Sequence, residues 1–147
     1  MADERQGLVF ISCGQYSVNE IKLGQDLAAA FDDLTGFKGY FAQNHSNVDG
    51  LSRSIFGALN SCAAFVAVMH YRGDVESPHG KHTRGSVWVE QEIAIAAFLK
   101  QALERNLEVV VYIQRGIKRE GVRDQLHLSA TTGSTSILLV KIGRAHV

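Results

Sequence analysis

The sequence predicts an α/β domain with a doubly wound, five-stranded parallel sheet in the flavodoxin-like order 2-1-3-4-5. Three observations predict it. Five short apolar runs are spread along 147 residues. Several are continuously apolar, as strands covered on both faces are. Helical patterns separate them, and the alternation βαβαβαβαβ implies parallel pairing through right-handed crossovers.

The first strand is 8-LVFIS-12. Ser17 and Glu20 then form a Ser-x-x-Glu capping box. It opens a helix over 17–34, with Leu23, Leu27, Phe31 and Leu34 on one face and Gly36 beyond its end. The second strand is 39-GYFAQ-43, followed by a shorter helix over 49–61 that carries Ile55 and Leu59. The third strand, 63-AAFVAVM-69, leads into 70–85, which holds the only proline, Pro78, and reads as a long irregular loop. Loops of that length in small domains are functional or mobile. A helix over 87–105 precedes the fourth strand, 108-EVVVYIQ-114. A weak helical pattern over 119–128 precedes the fifth, 136-SILLV-140.

Folds of this kind normally add a helix after the last strand, and this one is expected to lack it. The closing residues, 142-IGRAHV-147, resemble the translation of a sequencing-library adapter. The expected organisation is therefore one domain over 1–141, with 142–147 read either as an artificial tail or as a genuine, frayed end.

Composition narrows the function. Hydrophobic residues make up 46% and charged residues 20%, a globular balance. Lys+Arg and Asp+Glu both number 15, so nothing points to nucleic acid or an anionic membrane as partner. The polar start Met-Ala-Asp-Glu-Arg-Gln is no signal peptide, and the longest apolar run, 62–69, cannot span a bilayer. Cys13 and Cys62 lie in or beside strand-like segments, as reduced thiols usually do. A cytoplasmic protein without disulfides is expected.

The helix over 87–105 carries two carboxylates, Glu90 and Glu92, near its start. At about 100° per residue, Trp88, Ile95, Ala96, Leu99 and Leu103 fall within about 60° of Glu92, and Glu90 falls opposite. Glu90 is thus expected to face water and favour the helix dipole. Glu92 is expected within the apolar stripe, where desolvation raises its pKa. Helix N-termini in a doubly wound sheet lie at the carboxyl ends of the strands, where ligands bind. Glu92 therefore reads either as an acid at the floor of a cleft or as a carboxylate paired with a core arginine or backbone amide.

The loop 12-SCGQYS-17 has one glycine, so it is neither Gly-x-Gly-x-x-Gly nor a Walker loop. Asn19 stands where a Cys-x5-Arg phosphatase needs arginine. Cys13 reads as a nucleophile beside a histidine such as His70 or, more simply, as a small buried thiol. His70, His79 and His82 lack supporting ligands, and no metal site is expected.

Three motifs then resemble a Toll/interleukin-1 receptor (TIR) domain of the bacterial, NAD+-cleaving kind. Phe10-Ile11-Ser12 looks like the first TIR box. Gly50-Leu51 through Ser61, feeding 63-AAFVAVM-69, looks like the family's helix before its third strand. Ser86-x-Trp88-Val89-x-x-Glu92 looks like the Ser-x-Trp-Cys-x-x-Glu signature, with Val89 in place of cysteine. The resemblance covers most of 7–114. It implies an NAD+ nucleosidase or ADP-ribosyl cyclase that breaks the nicotinamide–ribose bond, in bacterial immune signalling against phage. NAD+ is then substrate, with no separate cofactor and no metal. Glu92 would be the catalytic residue. Ser12, Cys13, Gly14 and Tyr16 would line the pocket from the first loop. Trp88 would wall the ribose or nicotinamide, or simply pack in the core. Asn44 and His45 would contact substrate from the loop 43-QNHSNVDG-50, which gates the site in the family and mediates self-association. Ordinary turn chemistry is the competing reading there. Arg84 would meet the pyrophosphate at a helix N-terminus, or be a solvated loop charge. A sensor or effector partner is also implied, with no nucleic acid and no membrane.

Two other readings stand beside this one. One is a TIR module that assembles without turnover. The other is an enzyme resembling nucleoside 2-deoxyribosyltransferases, which place a glutamate ahead of small residues much as 92-EIAIA-96 does.

Overall fold

In a computed structural model, residues 7–42, 48–83, 86–114, 117 and 128–131 are described. At 48–52, 75, 77, 81–83 and 128–131 the description is of the backbone alone. The described elements are β1 (Gly7–Cys13), α1 (Val18–Asp32), β2 (Phe37–Phe41), α2 (Val48–Ser61), β3 (Ala64–Met69), β4 (Asp74–Ser77), β5 (Gly80–Thr83), α3 (Val87–Gln101), β6 (Glu108–Gln114) and β7 (Leu128–Thr131).

Five parallel strands pair in the order β2-β1-β3-β6-β7. Without the β4–β5 hairpin this is the expected 2-1-3-4-5 order. The apolar runs explain it: β3 is buried along its whole length and sits at the centre, between β1 and β6. Alternate residues divide between two cores. One face sets Phe10, Phe65, Ala67 and Met69 against Leu59 of α2 and Val89, Ile93 and Ala96 of α3. The other sets Val9, Ile11, Val66 and Val68 against Leu27 and Phe31 of α1. Phe10 and Phe65 are fully buried and stacked at 5.7 Å, each burial stabilising by roughly 1.5–3 kcal/mol.

The capping box forms as the sequence predicts. Ser17 Oγ accepts from the Glu20 amide at 3.2 Å, and Glu20 Oε2 accepts from the Ser17 amide at 2.9 Å. At the other end of α1, Asp32 accepts from the Gly39 amide of β2 at 2.9 Å. Here helix and strand touch so closely that a Cβ at Gly39 would run into the backbone of Ala28.

Three expectations need correction. The segment 70–85 is not wholly irregular. It contains an antiparallel hairpin with Asp74 opposite Thr83 and Ser77 opposite Gly80, turning at Pro78 and His79. Its strands are polar, so apolar periodicity could not reveal them. The neighbour of β6 is Leu128–Thr131, a short stretch inside and just beyond the segment read as a weak helix. The run at 136–140 lies outside the described residues, as do the loop at 43–47 and the tail at 142–147. Helix α3 ends at Gln101, four residues earlier than expected. Among the described residues, no helix is long and apolar enough to cross a membrane.

Candidate active site

Ser12 and Cys13 end β1 beside the carboxyl end of β3, where the chain leaves the two strands in opposite directions. A parallel sheet opens a crevice at such a point. Successive strand residues point to opposite faces. Ser12 therefore faces α3 and Cys13 faces α1.

On the α3 face, the Ser12 hydroxyl donates to Glu92 Oε2 across 80 residues of sequence. Glu92 lies in the second turn of α3, half-buried. Burial pushes its carboxyl up to about 7, and the Ser12 hydrogen bond opposes that rise. Tyr40 of β2 stands near enough to feel the Glu92 charge. It leans on Phe10 with ring centroids 5.5 Å apart, and burial followed by the Glu92 charge raises its phenol.

On the α1 face lies a second polar cluster. Glu20 is buried, and its Oε1 is 2.5 Å from Arg72 Nη2 and 4.0 Å from His70 Nε2. Burial alone would raise the Glu20 carboxyl, but Arg72, His70 and the Ser17 amide together hold it below the usual value. Burial lowers the His70 imidazole despite the pull of Glu20. Cys13 Sγ lies 3.4 Å from both the Glu20 carbonyl and His70 Nε2. Burial, then the Glu20 charge, pushes the thiol up to about 12, so it is no thiolate nucleophile at neutral pH.

The sequence-predicted residues separate accordingly. Glu92 and Ser12 meet directly. Cys13 belongs to the opposite cluster. Gly14 is crowded by it, since a Cβ there would collide with Glu20 and Arg72. Tyr16 is 87% exposed, with the Arg72 guanidinium 5.4 Å from its ring centroid. Trp88 is 64% exposed, so core packing is not its role. The buried stripe of α3 is Val89, Ile93, Ala96, Ala97 and Leu99, which puts Glu92 at its edge and not in its middle. Glu90 is half-buried, less open to water than the helical projection implies. Asn44, His45 and Arg84 lie outside the described residues.

Sequence reasoning missed Tyr40, Arg72 and the second task of Glu20. Glu20 was visible only as a helix cap; nothing in its spacing marks the partner 52 residues away. Among the described residues, no group of three or more His, Cys, Asp or Glu side chains could hold a metal ion. Among the described residues, the α3 face thus offers the Glu92 carboxylate, whose ionisation burial moves up to about 7. Such a group can accept a proton, attack a carbon or stabilise a cation.

No family model matches the chain, and no curated protein does. Among solved structures it is similar to a CMP N-glycosidase from Clostridium botulinum. The two share 14% identity and a TM-score of 0.59, with 92% of this chain and 98% of that one covered. The likeness is one of fold.

Proposed function

We propose that the protein cleaves an N-glycosidic bond at the anomeric ribose carbon of a nucleotide, with Glu92 as the catalytic carboxylate and NAD+ as substrate. The observation that carries the reading is the Glu92 carboxylate, held by Ser12 at the β1/β3 crevice and raised to about 7. The Ser86-x-Trp88-x3-Glu92 pattern and its TIR resemblance supply NAD+. A solved structure of similar fold bearing the name N-glycosidase agrees with the bond type.

The chemistry asks little of the protein. The bond between the anomeric carbon and nitrogen breaks, and its electron pair stays with the nicotinamide, whose ring was cationic and becomes neutral. No general acid is required. The carbon passes through an oxocarbenium-like state that an ionised Glu92 stabilises. Water then adds to the carbon, and Glu92 accepts its proton. A ring nitrogen of the adenine adding in place of water would give a cyclic product. Trp88, exposed one turn before Glu92, is free to meet a ligand.

A second reading takes a nucleoside monophosphate such as CMP as substrate, and the named activity of the structural neighbour favours it. Concentrated protein should be incubated in parallel with NAD+, CMP and deoxynucleosides, and base release followed by chromatography. Nicotinamide release that disappears in Glu92→Gln supports the proposal. Cytosine release alone replaces the substrate and keeps the bond type. Release from none of them, under crowding that drives assembly, refutes the catalytic reading and leaves a module that assembles without turnover.

A further inference from the structure

We propose that Ser12 is a positioning residue, whose hydroxyl holds the Glu92 carboxylate by Oε2 in one orientation and leaves Oε1 to the ligand. The proposal rests on the catalytic reading of Glu92 and adds to it the device that aims the carboxylate.

The surroundings of Ser12 single it out. It is 1% exposed, on the sheet face whose core includes Phe10, Phe65, Ala67 and Met69. Its register partner on β3 is Ala67, whose methyl group offers the hydroxyl no hydrogen bond. A buried hydroxyl without a partner is costly. This one has a partner, and it is the Glu92 carboxylate.

The two ends of the contact differ in stiffness. Ser12 has one side-chain rotor and is held in register with Ala67 of the central strand β3. Glu92 has three rotors and lies at the edge of the buried stripe of α3. A donor fixed to the sheet removes the rotational freedom of the longer side chain, which is how a catalytic group is kept ready. A donor to one carboxylate oxygen also favours the ionised form, against the effect of burial. Among the described residues, the titratable neighbours shown to sense the Glu92 charge are Tyr40 from β2 and Cys13 from β1, and neither replaces the Ser12 hydrogen bond.

The decisive measurement does not depend on turnover. The protein would be labelled with 13C at glutamate side-chain carboxyls, and the Glu92 resonance assigned by its loss in Glu92→Gln. Its ionisation midpoint would be followed by NMR in wild type, Ser12→Ala and Ser12→Thr, with thermal melts to confirm folding. Ser12→Ala is expected to raise the midpoint by about one to two pH units, the worth of a hydrogen bond to a charged group. Ser12→Thr, which keeps a hydroxyl, is expected to restore it. The substrate found to release base would then show kcat lowered by about tenfold or more at pH 7 in Ser12→Ala, with KM little changed. A midpoint that does not move in folded Ser12→Ala overturns the proposal, whatever the activity. A midpoint that moves while kcat at its own pH optimum stays at the wild-type value also overturns it. No turnover in wild type, with a shifted midpoint in Ser12→Ala, refutes the catalytic reading alone and keeps the Ser12–Glu92 coupling.

Discussion

Replacing Glu92 by glutamine should stabilise the protein, and only at the upper end of the pH range. The glutamate carboxyl rises from 4.5 to about 7 on folding, chiefly through loss of water. At about 1.4 kcal/mol per pH unit, that rise amounts to about 3 kcal/mol. The sign follows from linkage. A carboxyl with a raised folded pKa favours the fold fully below the unfolded value. That contribution disappears as pH climbs through the folded value. Below about pH 4.5 both proteins carry a neutral side chain at position 92, and their difference should not change with pH. Between there and about pH 7 the wild type loses ground steadily, and above pH 7 the gap levels off at about 3 kcal/mol in favour of glutamine. Urea unfolding of both proteins at half-unit steps from pH 4 to 9 measures it, with equal m-values required for the comparison. A difference curve that stays flat over that whole range would refute the account of Glu92 as a desolvated acid.

Arg72→Ala leaves Glu20 buried without its cation. The loss should be about 2–3 kcal/mol, below the ~3–5 kcal/mol of a fully buried pair, because Arg72 keeps 21% of its exposure. Because the folded Glu20 carboxyl lies below its ordinary value, the difference from wild type should be largest at neutral pH. It should shrink as pH falls through the glutamate range, as urea titrations can record. Gly39→Ala should destabilise by roughly 1–3 kcal/mol and lower the melting temperature, since its Cβ meets the Ala28 backbone, which has no rotamer to swing aside. Cys13 should resist iodoacetamide at pH 8 in the folded protein and react on addition of urea, counted by mass spectrometry in a Cys62→Ser background.

Much of the fold could be read before the structure because parallel strands bury both faces. The run 108-EVVVYIQ-114 coincides with β6 residue for residue, and 63-AAFVAVM-69 with β3 to within one. The hairpin was hidden for the opposite reason. Asp74–Ser77 and Gly80–Thr83 are polar in sequence apart from Val75, so their ladder hydrogen bonds leave no hydrophobic signature. At the site, helical projection found Glu92 as the shielded acid of α3, but set the stripe one residue off. Val89 and Ile93 are its centre, and Trp88 turns outward. An average angle per residue cannot place the middle of a stripe when Trp88, Val89, Ile93 and Ile95 are all apolar. The Ser12–Glu92 contact was only half visible. Each residue was singled out, but a hydrogen bond across 80 residues follows from sheet order and helix placement together, not from local spacing.

Ser12 and Cys13 are neighbours in the chain and look into different chambers of the molecule. One reaches the Glu92 carboxylate; the other lies against Glu20 and His70. The reading frame of β1 against its neighbours therefore assigns the chemistry of both chambers at once. Slip the strand by a single position and the thiol would meet Glu92 while the hydroxyl turned toward α1, with every core side chain of β1 exchanged between the layers as well. Loss of β1 pairing would thus abolish both chambers in the same event. An inserted or deleted residue within 7–13 should be far harder for this protein to tolerate than any single substitution there.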